Sequence, residues 1–348
     1  MRILALQLKR IGDLILTTAA LRALRAAWPE AHLALAVAPG CAGLLGAVPA
    51  INAGVVLGRG RGFAPWQQVL TGAWDLCVDF TGTDRSALAV ALSRAAERAT
   101  FAWVKKSKLR AVAFNRFVEA VVRERHTADH YLDLVEGAIA DDWHRPSARR
   151  VAERGTRVEC STQAEPELAL PDEARAAAAR FTGAGEFAVI HPGTARAEKF
   201  WLPERWAEVI THLRARHGIE CVLTGGADDF ERAHIAKIQT ALDKPALNLA
   251  GKIDLLTFAA VIERAKICVS CDTGAVHLAA ALRTPQVALF GPTNPFHWRP
   301  RHDRAVVLSA AQPDAPLTVF TPRMKGAPME RISTELVIGA IAQLIPTP

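Results

Sequence analysis

RILALQLKRIGDLIL, residues 2–16, decides how the chain begins to fold. Arg2–Leu8 is an apolar run of strand length. From Leu14 to Trp28 the leucines and isoleucines at 14, 15, 21 and 24 return at helical spacing, with no Pro or Gly inside, and Pro29 helps to stop the helix. Between strand and helix the chain passes Lys9 and Arg10, turns at Gly12 and enters the helix on Asp13. Asp13 has two readings, as a helix cap or as a base held beside positive charge.

The alternation continues outward from that turn. HLALAVA, AGVVL, WDLCVDF and ATFAWV read as further strands, and a helix is expected over Ala128–Ala140. From Asp142 to about Pro171 the pattern lapses into Arg, Glu, Ser, Thr and Pro, which reads as a linker followed by an edge segment. Then FAVIHPG, IECVLTGG, ALNLAG, KICVSCD and QVALFGP resume it. Strands alternating with helices predict parallel sheets with right-handed crossovers. A chain of 348 residues exceeds what one core usually serves. The expected architecture is therefore α/β, with two doubly wound Rossmann-like domains facing each other across a cleft. The first covers 1–165, with a linker at about 142–170, and the second covers 166–348. Ligands in such folds sit at the carboxyl ends of the strands.

Half of the residues are hydrophobic and mean hydropathy is slightly positive, which suits packed cores and not a disordered chain. No uninterrupted apolar run is long enough to span a bilayer. Lys9, Arg10 and Asp13 break the apolar stretch that a signal peptide needs, so a cytoplasmic location is expected. The cysteines at 41, 77, 160, 221, 268 and 271 are scattered through apolar runs and read as small buried hydrophobes. Cys268 and Cys271 spell C-V-S-C, but on a strand residues three apart point to opposite faces. The net charge of +7 is concentrated: residues 85–125 hold ten Lys and Arg against three Glu, a surplus equal to that of the whole chain. This segment is either a solvated face or a surface for a polyanion. It carries no recognisable nucleic-acid motif, and a nucleic-acid partner is not expected.

Common catalytic signatures are absent: no G-x-G-x-x-G follows a strand, and there is no GxxxxGK[ST], HExxH, GxSxG or D-x-D. His126 and His130 stand four apart, which reads as a polar surface pair rather than a zinc site, for want of a third ligand. Polar residues gather instead at strand ends in the second half. In SCDTGAVHLAAAL a strand ends at Cys271 and a helix begins at Thr273–Gly274, whose free amides favour an anion. Asp272 is there either to accept from sugar hydroxyls or only to cap the helix, and His277 lies one turn on. HPGTARAEKFW offers Thr194 as a hydroxyl donor and Lys199 as a mobile cation for phosphate. TGGADD adds a tight turn and Asp228, a possible acceptor from ribose, and GPTNP at 291–295 is a fourth polar strand end. Together they point to a nucleotide-diphosphate pocket.

KRIGDLILTTAALRALR, HPGTARAEKFW with PERW, TGGADD, and CDTGAVHLAAAL followed by VALFGPTNP occur in an order that resembles the ADP-heptose:lipopolysaccharide heptosyltransferases of glycosyltransferase family 9. The resemblance runs from Met1 to about Pro295 and is weakest over about 142–186. It implies a GT-B fold and an inverting, metal-independent transfer of heptose from ADP-heptose to the lipopolysaccharide core, with no cofactor. By motif, Asp13 matches the family's proposed base, and Lys199 and Thr194 match contacts to the donor diphosphate. Asp228 falls where a ribose-binding Glu often sits, and Asp272, Thr273, Gly274 and His277 match the heptose- and phosphate-binding turn. Asp in place of Glu at 228, and Ala195 where some members have a second Thr, are departures that bear on donor identity. A GT-B transferase using another nucleotide sugar, or a non-catalytic nucleotide-sugar-binding protein, are the alternatives. On the acceptor side Lys9 and Arg10 lie near Asp13, and Arg85 follows a strand end. Lys105, Lys106, Lys108 and Arg110 are expected to form an outer patch for the acidic acceptor and for peripheral contact with the anionic inner membrane surface.

Overall fold

The run that opens the sequence becomes strand β1, Arg2–Gln7, with five of six residues buried, as a strand covered on both faces requires. The computed structural model describes residues 1–58, 60, 62–120, 122–140 and 165–346. The chain divides into two compact units, Met1–Ala169 and Leu170–Pro348.

In the first unit β1 is followed by α1 (Ile11–Ala27), β2 (His32–Val37), β3 (Ala53–Val56), α2 (Ala64–Thr71), β4 (Leu76–Asp79) and α3 (Asp84–Ser93). β5 (Glu97–Phe101), α4 (Lys108–Ala111), β6 (Arg116–Val118) and α5 (Thr127–Ile139) complete it. The described residues form one six-stranded sheet in the order β3-β2-β1-β4-β5-β6. Every pairing in it is parallel, and Leu4 lies between Ala34 and Cys77. Helix α5 returns to pack on α1, which brings residues more than a hundred positions apart into contact.

The second unit runs α6 (Asp172–Thr182), β7 (Phe187–His191), α7 (Pro203–His217), β8 (Glu220–Leu223), α8 (Asp229–Thr240), β9 (Leu247–Asn248) and α9 (Leu255–Arg264). It continues with β10 (Ile267–Cys271), α10 (Gly274–Ala281), β11 (Gln286–Phe290), α11 (Pro295–Trp298), β12 (Ala305–Ser309) and α12 (Thr334–Leu344). Its parallel sheet has the order β12-β11-β10-β7-β8-β9, the same winding as the first. Trp201 and Trp206 pack edge to face at 5.0 Å in the core of this unit. In each sheet the winding reverses once, between β1 and β4 and between β7 and β10. Polar groups just beyond those strand ends are placed where doubly wound folds bind ligands.

Several sequence expectations need correction. ATFAWV does not stay extended to its end: the strand stops at Phe101, and Trp103 and Val104 enter a 3₁₀ turn over Ala102–Lys106. ALNLAG contributes only two strand residues, at the sheet's edge. The edge strands β6 and β12 were not apparent in the apolar pattern. Residues 142–164, expected to be a linker, and Cys160 lie outside the described residues. Just after them Leu168 and Leu170 are buried, and the Ala169 amide donates to the Ala47 carbonyl at 2.9 Å. The other five cysteines are buried and unpaired, and burial pushes the Cys268 and Cys271 thiols up to about 12, which leaves them unreactive. No helix among the described residues is long and apolar enough to cross a membrane.

Candidate active site

Asp13 does not cap its helix. α1 begins at Ile11 with Arg10 in the cap position, and Arg10 makes no side-chain capping bond. Asp13 instead sits in the first turn, where the helix dipole favours a carboxylate. Its Oδ1 accepts a hydrogen bond of 2.7 Å from the Tyr131 hydroxyl of α5. Its backbone carbonyl accepts from Thr17 Oγ1 at 2.7 Å, and Gln7 Nε2 donates to that same hydroxyl oxygen at 2.8 Å. Both the main chain and the side chain of Asp13 are therefore held.

The ends of β1 and β4 are tied beside it. Leu8 N–H donates to Thr81 Oγ1 at 2.8 Å, and the fully buried Asp79 accepts from the amides of Thr81 and Gly82 at 2.8 and 3.1 Å. Burial pushes the Asp79 carboxyl up, against the pull of Ser86, those two amides and the charge of Lys9. Lys9 is half-buried, with its ammonium 5.8 Å from the centre of the Tyr131 ring. Arg10 and Arg85 are exposed, Arg85 in the first turn of α3.

Lys105, Lys106 and Lys108 are exposed as expected. Arg110 is not part of that outer patch. It is half-buried, pairs with Asp84 at 2.6 Å and donates to the Gly82 carbonyl at 3.2 Å, so it fastens α4 to the turn before α3. Leu109 and Val112, one helical turn apart, are each 80% exposed beside the three lysines. The expected surface pair of histidines is also corrected. His126 is buried and caps α5 through the Ala128 amide, while His130 is buried and stacks on Phe101 at 4.0 Å. Burial pushes His130 down to about 4, so it is neutral. Among the described residues no group of three or more His, Cys, Asp or Glu is placed to hold a metal ion.

In the second unit, Lys199 and Asp272 meet beyond the neighbouring strands β7 and β10. Lys199 Nζ donates to Asp272 Oδ2 at 2.6 Å, with the two side chains 14% and 9% exposed. Lys199 is thus pinned, not mobile. Asp272 does not cap α10, because Thr273 does, its Oγ1 accepting from the Ala275 amide at 3.2 Å. Gly274 is the first residue of that helix, and His277 is buried one turn on, edge to face with Trp298. Thr194 is buried in the turn after β7.

Asp228 caps α8 by accepting from the Glu231 amide at 3.0 Å. The Glu231 side chain reaches back and accepts from the Gly226 amide at 2.6 Å. A Cβ on Gly193 would lie 2.1 Å from Glu231 Oε2, so glycine there is what lets the two turns close around one carboxylate. Burial pushes the Glu231 carboxyl up, against the Gly226 hydrogen bond. Sequence reasoning missed both Glu231 and Tyr131. Glu231 had a signal, since Asp followed three residues later by Glu is the spacing of a reciprocal helix cap. Tyr131 had none beyond being the chain's single tyrosine.

The glycosyltransferase family 9 (heptosyltransferase) model matches residues 63–327, three quarters of the chain. Lipopolysaccharide heptosyltransferase 3 of Escherichia coli is 36% identical over 120 residues, 34% of this chain and 35% of that protein. Matches of this kind span only about a third of the relatives' length. Lipopolysaccharide heptosyltransferase 1 of Pseudomonas aeruginosa aligns more widely, 29% identical over 85% of this chain and 80% of its own. The structure of E. coli ADP-heptose lipopolysaccharide heptosyltransferase II superposes with a TM-score of 0.77 at 21% identity, over 99% of this chain and 98% of the other, which shows the shared GT-B-type fold. With two parallel, identically wound sheets and a family match covering most of both units, this chain belongs to glycosyltransferase family 9, the heptosyltransferases.

Proposed function

We propose that the protein transfers a heptosyl group from ADP-heptose to the lipopolysaccharide core, with inversion at the anomeric carbon and without a catalytic metal ion. The observation that carries this reading is the Lys199–Asp272 pair beside the start of α10, a cation and a carboxylate at the switch point of the second sheet. Lys199 and the first amides of α10 serve the donor diphosphate, and Thr194 and Thr273 supply hydroxyl donors to it. Asp272 and His277 face the heptose, and Asp228 the ribose. The similarity to lipopolysaccharide heptosyltransferase 1 and to ADP-heptose lipopolysaccharide heptosyltransferase II supports these donor and acceptor classes.

In the transfer step the acceptor hydroxyl gives its proton to the Asp13 carboxylate as its oxygen lone pair forms the bond to the anomeric carbon. The bond from that carbon to the diphosphate oxygen breaks, and its electron pair leaves with ADP. The accumulating charge is met by Lys199 and the helix amides. In this reading the electrostatic work falls to Lys199 and α10. Lys9, Arg10 and Arg85 belong to the acceptor side. Lys105, Lys106 and Lys108, flanking the exposed Leu109 and Val112, suit peripheral contact with an anionic, cytoplasm-facing membrane surface that holds the acceptor.

A thermal-shift comparison tests the donor assignment, because a ligand that binds only the folded state raises the melting temperature. ADP should stabilise the protein more than UDP or GDP at equal concentration. A larger shift with UDP or GDP would move the reading to a transferase of the same fold with another donor. No shift with any of the three would remove the donor site as drawn.

A further inference from the structure

The chain has a single tyrosine, and the fold sets its hydroxyl against the carboxylate proposed as the base. Tyr131 is 1% exposed, and its ring is fixed on several sides. Phe80 packs against it edge to face at 5.6 Å, Phe101 lies 6.4 Å away, and the Lys9 ammonium sits over its face at 5.8 Å. A buried phenol could find a partner anywhere in such a pocket. This one is directed at Asp13, which is only partly buried and is restrained a second time by Thr17 through its carbonyl.

We infer that Tyr131 is a positioning residue for the transfer: it holds Asp13 Oδ1, fixes the carboxylate plane, and leaves Oδ2 as the oxygen that receives the acceptor proton. The inference rests on Asp13 being the base. A carboxylate on the first turn of a helix has rotamer freedom, and a hydrogen bond from a rigid ring removes it. Misplacing a reacting group by about 1 Å can cost on the order of a hundredfold in rate. The phenol must stay protonated to do this. Burial, then the charge and hydrogen bonding of Asp13, push its ionisation well above the ordinary range, while Gln7 acts in the opposite direction.

Among the described residues, three charged or titratable groups face the Tyr131 ring. Asp13 comes from α1, Lys9 from the exit of β1, and the neutral His130 from α5 at 6.0 Å. Since no other tyrosine is present, the phenolate absorbance band reports this group alone.

Three variants decide the matter: Tyr131→Phe, Asp13→Asn and the double variant. Tyr131→Phe keeps the ring and its packing, so it should fold with a melting temperature close to wild type. It should lose about ten- to a hundredfold in kcat while the KM for ADP-heptose stays within about twofold. The double variant should be no slower than Asp13→Asn alone, because the hydroxyl acts only through that carboxylate. Independently of turnover, Asp13→Asn should bring phenolate formation to lower pH than in wild type, read below the alkaline unfolding transition. If Asp13→Asn turns over normally, the base reading fails. If Asp13→Asn is inactive but Tyr131→Phe keeps wild-type kcat, or loses only stability, the base stands and the positioning role is overturned.

Discussion

Lys199→Ala should separate structural from ligand-binding work at the donor site, because Lys199 does both in this account. Its ammonium lies 2.6 Å from Asp272 Oδ2 in a site where the two side chains are 14% and 9% exposed. Removing one member of a buried pair strands the other charge and typically costs about 3–5 kcal/mol. Here the stranded Asp272 lies next to Thr273, the cap of α10, whose dipole offsets part of that cost, so about 2–3 kcal/mol is expected. For a unit of this size that is a fall of roughly 5–10 °C in melting temperature. Loss of one charge-assisted contact to the diphosphate should also weaken ADP about tenfold or more, read by isothermal titration.

The partner substitution has a different signature. Asp272→Asn frees Lys199 from its competitor, so ADP should bind at least as tightly as to wild type, while transfer slows because the heptose loses an acceptor. A Lys199→Ala protein that melts within about 1 °C of wild type and binds ADP within about twofold would refute both halves of this reasoning.

The turn around Glu231 gives a second test: Gly193→Ala must push the Glu231 carboxylate off the Gly226 amide, costing about 1.5–3 kcal/mol in a urea melt, whereas Gly185→Ala, with open space, should not. Burial pushes His130, His191 and His234 down to about 4. Their folded values lie below the unfolded 6.5, so this stability is fully present above pH 6.5 and is lost as pH falls towards 4. The loss is up to about 3 kcal/mol for each histidine, and His130→Phe should make the fall in melting temperature shallower. Changing Lys105, Lys106 and Lys108 together to Gln should weaken binding to anionic vesicles about a hundredfold at low salt, with the difference shrinking as salt rises. Arg110→Ala should instead lower thermal stability, since Arg110 is tied to Asp84 and Gly82.

The alternation of apolar runs and helical stretches made the parallel α/β architecture legible, because buried strands and amphipathic helices both leave local periodic marks. β6, with three residues, and β9, with two, leave almost none, so the sheet edges were misjudged. The strand-end motifs drew attention to Asp13 and Asp272 as polar residues breaking apolar runs, and to Lys199 as a cation in the polar turn after FAVIHPG. Their partners were not legible. Tyr131 is 118 positions from Asp13 and Asp272 is 73 from Lys199, and local periodicity carries no record of such contacts. The histidine pair was misread for the converse reason. Helical spacing says which residues share a face, but not whether that face is covered, and here His130 is buried against Phe101.

The central claim is heptosyl transfer with Asp13 as base, and one measurement meets it directly. Purified protein is mixed with ADP-heptose and a lipopolysaccharide core acceptor in excess EDTA, and the product is followed by mass spectrometry and anomeric NMR. The account expects the acceptor to gain one heptosyl residue, with anomeric configuration opposite to the donor's, one ADP released per transfer, and a rate on the order of 10²–10⁴ lower for Asp13→Asn. Retention of the donor's configuration, dependence on an added divalent ion, or a folded Asp13→Asn protein that transfers at the wild-type rate would contradict it.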